Sequence, residues 1–239
     1  MKLFIMSEME INKAVSEEIV SLINRKPNCV LGLATGGTPI GVYEQLIKKY
    51  QNKEVSFKGV KTYNLDEYVG LNSNNEQSYH YYMRKVLFDF IDIDLNNTHV
   101  PDGENVDKSI ECYDEDIKNA GGIDLQILGI GSNGHIAFNE PGTAFDSLTH
   151  VVDLKESTIR DNSRFFKDIN EVPRQSITMG LASIMRAKRI ILIAKGEKKA
   201  EVVRKLFQEE ASIDLPASVL KTHPNVEIYC DYLAAKYLK

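Results

Sequence analysis

Cysteine is scarce in this chain of 239 residues: Cys29, Cys112 and Cys230 stand far apart, with no CxxC pair. That number and spacing exclude a disulfide framework and offer no thiolate zinc motif. Cys29 and Cys230 lie in apolar, strand-like runs and are expected to be buried, inert thiols. A basic excess is missing too. Lys and Arg number 29 against 34 Asp and Glu, so the footprint of a nucleic-acid binder is absent. A phosphorylated small molecule stays open, because a pocket needs only two or three local cations. No apolar run approaches the length of a membrane span; Ile190-Ile191-Leu192-Ile193-Ala194 is among the longest. The first residues lack a signal-peptide core and meet Glu8 and Glu10 at once, so a cytoplasmic location and no membrane partner are expected. Repeats, low-complexity tracts and linkers rich in Pro, Gly or Ser are absent, which points to one domain over 1–239.

What is present is a chain with 43% hydrophobic and 26% charged residues, enough for a substantial core. Strand-like and helix-like segments alternate. Short apolar runs predict strands over 2–6, 29–33, 60–65, 123–128, 189–194 and 226–230. Between them, helical spacing appears over 11–23, from Pro39 to about Tyr50, over 78–90 with an aromatic face, over 105–120 and over 197–209. The 105–120 helix closes on Gly121-Gly122. Such alternation implies a three-layer α/β/α fold with an open, mostly parallel twisted sheet of Rossmann-like type. The segment 154–173 departs from it. It is polar, charged and weakly periodic, and reads as a surface excursion.

Three strand exits carry chemistry, and in open α/β sheets ligands bind beyond the carboxyl ends of the strands. The most informative is Gly129-Ile130-Gly131-Ser132-Asn133-Gly134-His135, followed by Glu140. Closely spaced glycines let the backbone reach φ values denied to other residues. They place His135 and Glu140, two proton-transfer groups, where a small substrate would sit. The neighbouring Asn133 and Glu140 favour catalysis over a merely structural histidine. A metal is not expected, since no second histidine stands at ligand spacing. Thr35-Gly36-Gly37-Thr38-Pro39 leads from a strand into a helix and is either an ordinary βα turn or an anion cradle; it matches neither a Walker A motif nor GxGxxG. Asp66, in Asn64-Leu65-Asp66-Glu67-Tyr68, is either a helix cap or a general base. Glu67 reads as structural. Arg164, within the excursion, and Lys199, in the turn after Gly196, are candidate anion partners. A lysine at a helix start is unfavourable unless an anion lies nearby.

Taken together, the motifs 33–39, 64–68 and 129–141, with Asn162-Ser163-Arg164-Phe165-Phe166 and Gly196-Glu197-Lys198-Lys199, resemble those of the glucosamine-6-phosphate deaminase family. They occur in the family's order along the whole chain. The related 6-phosphogluconolactonases typically carry a DGH motif and a Ser-Leu-Phe-Pro stretch; Phe138-Asn139-Glu140-Pro141 fits the deaminases instead. The resemblance implies isomerisation and deamination of glucosamine 6-phosphate to fructose 6-phosphate and ammonia, without a cofactor. It implies His135 in ring opening, oriented by Glu140, and Asp66 as the carrier of a proton between C2 and C1. It assigns the phosphate to Thr35, Gly36, Gly37, Thr38, Arg164 and Lys199, and a lid to 154–173. There are two departures. Asn133 stands where better-known members have Asp, so it can orient an imidazole but not stabilise its positive charge. His150 and Val152 stand where regulated members have basic residues for an activating N-acetylglucosamine 6-phosphate. A monomer or small homo-oligomer without activation is therefore expected. A lactonase, a deaminase of another amino-sugar phosphate and a non-catalytic sugar-phosphate sensor remain the alternatives. A sensor would lose Asp66, His135 and Glu140, all of which are present.

Overall fold

Aliphatic runs without polar alternation, such as 30–33 and 190–194, mark strands covered on both faces, and they lie inside a sheet of seven parallel strands. The computed structural model describes residues 1–163 and 166–238. Its strands are β1 (Lys2–Ile5), β2 (Val30–Leu33), β3 (Lys61–Asn64), β4 (Asp66–Tyr68), β5 (Thr98–His99), β6 (Leu125–Gly129), β7 (His150–Asp153), β8 (Gln175–Thr178), β9 (Ile190–Ala194) and β10 (Val226–Cys230). The α-helices are α1 (Glu8–Arg25), α2 (Ile40–Gln51), α3 (Tyr79–Val86), α4 (Val106–Asn119), α5 (Glu156–Asn162), α6 (Leu181–Met185) and α7 (Ala200–Gln208). The large sheet has the order β1-β10-β9-β6-β2-β3-β5, every neighbour parallel.

Successive side chains of a strand face opposite layers, and β9 shows the result. Ile190 and Leu192 join the core on one face with Ile117 of α4, Ile184 of α6 and Val203 of α7. Ile191 and Ile193 join the core on the other face with Ile19 of α1, Leu46 of α2 and Met83 of α3. The expected three-layer α/β/α arrangement is what forms. Cys29 and Cys230 are buried, and burial pushes both thiols up to about 12, as expected of inert cysteines. Among the described residues, no helix is long and apolar enough to cross a membrane.

Several local expectations need correction. Residues 66–68, read as part of a loop, form β4 of a second sheet, antiparallel in the order β4-β8-β7. Its strands are three or four residues long, too short to show a period. The predicted helix over 78–90 ends at Val86, because Leu87 leaves helical geometry at φ −147°; a 3-10 turn, Phe88–Phe90, follows. The helix predicted over 197–209 opens with a 3-10 turn, Glu197–Lys199. The excursion 154–173 is not wholly polar surface. Leu154, Ile159 and Val172 are buried in a third apolar cluster with Tyr68 and Phe138.

Candidate active site

Strand order sets the place of the site. From β2 the chain steps outward through β3 to β5, returns to β6 on the other side of β2, and continues through β9 to β10. The carboxyl ends of β2 and β6 are thus the switch point, where a crevice opens.

Beyond β2, residues 34–39 turn into α2. Gly36 takes φ +80°, which a β-carbon would disfavour. The loop is tied down from below: the hydroxyl of Tyr43 donates to the Ala34 carbonyl, and that of Tyr82 to the Gly36 carbonyl, each at 2.6 Å. It meets the N-terminus of the 12-residue α2, whose dipole favours an anion.

Beyond β3 the chain passes through Leu65 into β4 and so leaves one sheet for the other. Alternation along β4 turns Asp66 into the cleft and Glu67 toward α3. Burial of Asp66, and then the nearby charge of Glu67, push its carboxyl up from 3.8 to about 8. Glu67 accepts from the backbone N–H groups of Tyr68, Tyr79 and His80. The structural reading of Glu67 agrees with this set of bonds.

Beyond β6, the Gly131 N–H donates to the His135 carbonyl at 2.8 Å, which folds the loop back on itself. The imidazole lies against Gly131; a β-carbon there would come within 2.3 Å of the ring. Glu140, buried, lies behind the ring with Oε2 3.7 Å from His135 Nδ1, an ion-pair distance rather than a direct hydrogen bond. It also accepts from Asn133 Nδ2 at 2.6 Å, from the Thr158 hydroxyl and from the Lys155 N–H at 3.4 Å. Burial alone would raise its carboxyl, but His135, Thr158 and Asn133 outweigh burial and hold it at about 2. Asn133 corrects one expectation. Its side chain reaches Glu140 and accepts from the His135 backbone N–H at 3.2 Å, so it orients the carboxylate and the loop.

These loops enclose a cleft of about 410 Å³. Thr35, Gly36, Gly37, Thr38, Asp66, His135 and Lys199 all line it; Asn133 and Glu140 support it from behind. Arg164 lies outside the described residues. Its neighbours Thr158, Asn162 and Phe166 line the cleft, so the 154–173 segment does border it. The aromatic wall of Tyr68, Tyr79, Tyr82 and Phe138 escaped sequence reasoning, although the aromatic face over 78–90 pointed to part of it. Among the described residues, no three His, Cys, Asp or Glu side chains are grouped to hold a metal.

The family model of glucosamine-6-phosphate isomerases and 6-phosphogluconolactonases matches residues 7–229. The chain belongs to this family. Within it, the chain is 53% identical over 225 residues to a glucosamine-6-phosphate deaminase of Oceanobacillus iheyensis, covering 93% of this chain and 90% of that one. It is 50% identical to one of Mycoplasma mycoides over 239 residues, covering 100% and 98%. A solved structure described as a monomeric glucosamine-6-phosphate deaminase superposes with a TM-score of 0.97 at 43% identity over 99% of both chains. A 6-phosphogluconolactonase of Trypanosoma brucei, 21% identical with a TM-score of 0.80, shares the fold of the family.

The Asp66 carboxyl makes a prediction about stability. In the native state it keeps its proton up to about pH 8, whereas an unfolded chain releases it near 3.8. Between those values the native state binds more protons, so this residue's contribution to stability falls as pH rises. Asp66→Asn should therefore unfold at a higher temperature than the wild type at pH 8. The difference should shrink toward pH 4, as thermal melts at several pH values will show.

Proposed function

We propose that this chain converts glucosamine 6-phosphate and water to fructose 6-phosphate and ammonia. The observation that carries the reading is the convergence of three groups on one cleft. They are a buried carboxyl at about 8, a histidine backed by an ionised glutamate, and a glycine loop at a helix N-terminus beside Lys199. The family and the names of the relatives at about half identity support the same substrate.

The phosphate sits on the 35–38 loop, with Lys199 and Arg164 as its cations. His135 moves the proton of the C1 hydroxyl to the ring oxygen, which opens the sugar, and Glu140 stabilises the imidazolium formed on the way. Asp66 then takes the proton from C2; the electrons of that bond make the C1–C2 double bond while the carbonyl pair moves to O1, which takes a proton from the C2 ammonium. Returning the proton from Asp66 to C1, as the amine lone pair pushes in, leaves C1 as CH2OH and a protonated imine at C2. Water adds there and ammonia leaves, giving the ketone. A base poised near neutrality suits a transfer between adjacent carbons. The ammonium on C2 of the arriving substrate favours the ionised form of Asp66. Segment 154–173 acts as a lid whose α5 meets the catalytic loop through Thr158 and Glu140. Such an enzyme belongs in the cytoplasm, where sugar phosphates are made and consumed.

The chain acts as a monomer or small homo-oligomer, in keeping with the monomeric neighbour. His150, whose Nδ1 lies 2.7 Å from the Leu148 carbonyl, offers at most a weak positive charge to an activator, and Val152 none. An effector acts only through differential affinity for two states.

Ammonia release from glucosamine, galactosamine and mannosamine 6-phosphates tests the activity, with the first expected to react fastest. Asp66→Asn should lower turnover by at least ~10²-fold with substrate binding largely kept, the loss typical of a general base. Near-normal turnover by the folded variant would assign the base elsewhere. Lys199→Ala should chiefly raise KM, since a charge-assisted contact contributes roughly 1.5–3 kcal/mol; an unchanged KM would remove Lys199 from the phosphate site. Saturation curves should be hyperbolic with and without N-acetylglucosamine 6-phosphate. Sigmoidicity relieved by the N-acetyl sugar, with a hexameric mass by light scattering, would reveal an allosteric site.

A further inference from the structure

Glu67 is buried at 1% exposure beside the base, a place where a carboxylate must be fully bonded. Its oxygens accept from the N–H of Tyr68 at 2.8 Å, of Tyr79 at 2.9 Å and of His80 at 3.1 Å, and His80 Nδ1 lies 3.1 Å from Oε2. The backbone around it is held as closely. The Ser176 hydroxyl donates to the Glu67 carbonyl at 2.7 Å. A β-carbon at Gly103 would come within 2.1 Å of the Tyr68 carbonyl oxygen and 3.3 Å of Glu67 Cγ. Glu67 thus clamps the first turn of α3 onto β4. Two residues of that helix, Tyr79 and Tyr82, line the cleft, and Tyr82 holds the phosphate loop through the Gly36 carbonyl.

Resting on the reading of Asp66 as the base, we propose that Glu67 is a positioning residue for the isomerisation. Its buried charge fixes the base and the phosphate loop relative to one another. The geometry calls for a charge rather than any polar side chain. Three backbone N–H groups, two of them at a helix start, point at one pair of oxygens, and only a carboxylate accepts from all of them without presenting a hydrogen of its own. The charge also acts on the base: after burial, it is the second reason that the Asp66 carboxyl stands high. The groups facing Glu67 are Asp66 and Tyr68 from β4, and Tyr79 and His80 from α3. Asp102 stands near His80, and the uncharged Ser176 comes from β8.

The test is the pH profile of kcat/KM for glucosamine 6-phosphate, whose acid limb follows the loss of the Asp66 proton. Glu67→Gln removes the charge, so the limb should move to lower pH by about one unit. Glu67→Asp keeps the charge but draws it back by one methylene. There the limb should stay, while KM rises several-fold as α3 and the phosphate loop loosen. A residue that only capped the helix would change the melting temperature and leave the limb in place. Coincidence of the Glu67→Gln and wild-type limbs would overturn the proposal. Should Glu67→Gln fail to fold, an unchanged KM in Glu67→Asp would overturn it equally. Activity retained by Asp66→Asn would overturn the base assignment itself. An inactive Asp66→Asn beside an unmoved limb in Glu67→Gln would remove only the role of Glu67.

Discussion

In the middle of the large sheet, β2 and β6 stay paired from Leu31–Leu125 to Gly32–Gln126 and then part, although β2 runs on to Leu33 and β6 to Gly129. The seam closes because Gly32 has no side chain. A β-carbon there would lie 2.0 Å from the buried Gln126 amide, which fills the space and donates to the Ile127 carbonyl. Beyond the last pair the strands diverge toward their carboxyl ends. The separation leaves room for the glycine loop after β2 and the His135 loop after β6 to face one another across a cleft. The rest of the site depends on that parting, because the switch in strand order falls on the same seam.

Within the cleft, two carboxyl groups are pushed in opposite directions. Asp66 is buried beside another carboxylate and stands near 8, whereas Glu140 receives hydrogen bonds and the charge of His135 and stands near 2. Two groups of one chemical type thereby differ near neutral pH, one standing close to its own midpoint and the other ionised. Asn133 takes part in this separation through its bonds to Glu140 and to the His135 backbone N–H. By donating to Glu140 Oε2 it holds the carboxylate behind the ring, 3.7 Å from His135 Nδ1.

The small sheet joins Asp66 to the segment that borders the cleft. β4 carries Asp66 and pairs with β8, which pairs with β7, and the chain between β7 and β8 includes α5. Thr158 of α5 donates its hydroxyl to Glu140, so both carboxyl groups are linked to the same segment, Asp66 through strand pairing and Glu140 through a side-chain hydrogen bond. Tyr68 packs at tilted angles against Tyr79 and Phe138 and edge-on against Phe166, which gives that connection an apolar side as well.

The chain's sequence determined the alternation of strands and helices, the covered sheet and the three loops that carry chemistry. Those features depend on local signals: aliphatic runs in β9 and β10, helical spacing in α1, glycines after β2 and β6. It also determined the types of group in the site, since Asp66, His135, Glu140 and Lys199 stand at strand exits or helix starts. Tertiary structure alone decided the rest. The strands β4, β7 and β8 are three or four residues long, and a period cannot be read from so few positions; their pairing comes from contacts between segments distant in sequence. Nor could local pattern show that Asn133 would turn to Glu140 rather than to the ring, or that Glu67 would gather the start of α3. Hydrogen bonds of that kind depend on where loops meet in space, and so do the opposite displacements of Asp66 and Glu140. A carboxyl group's burial and charged neighbours are properties of the folded chain.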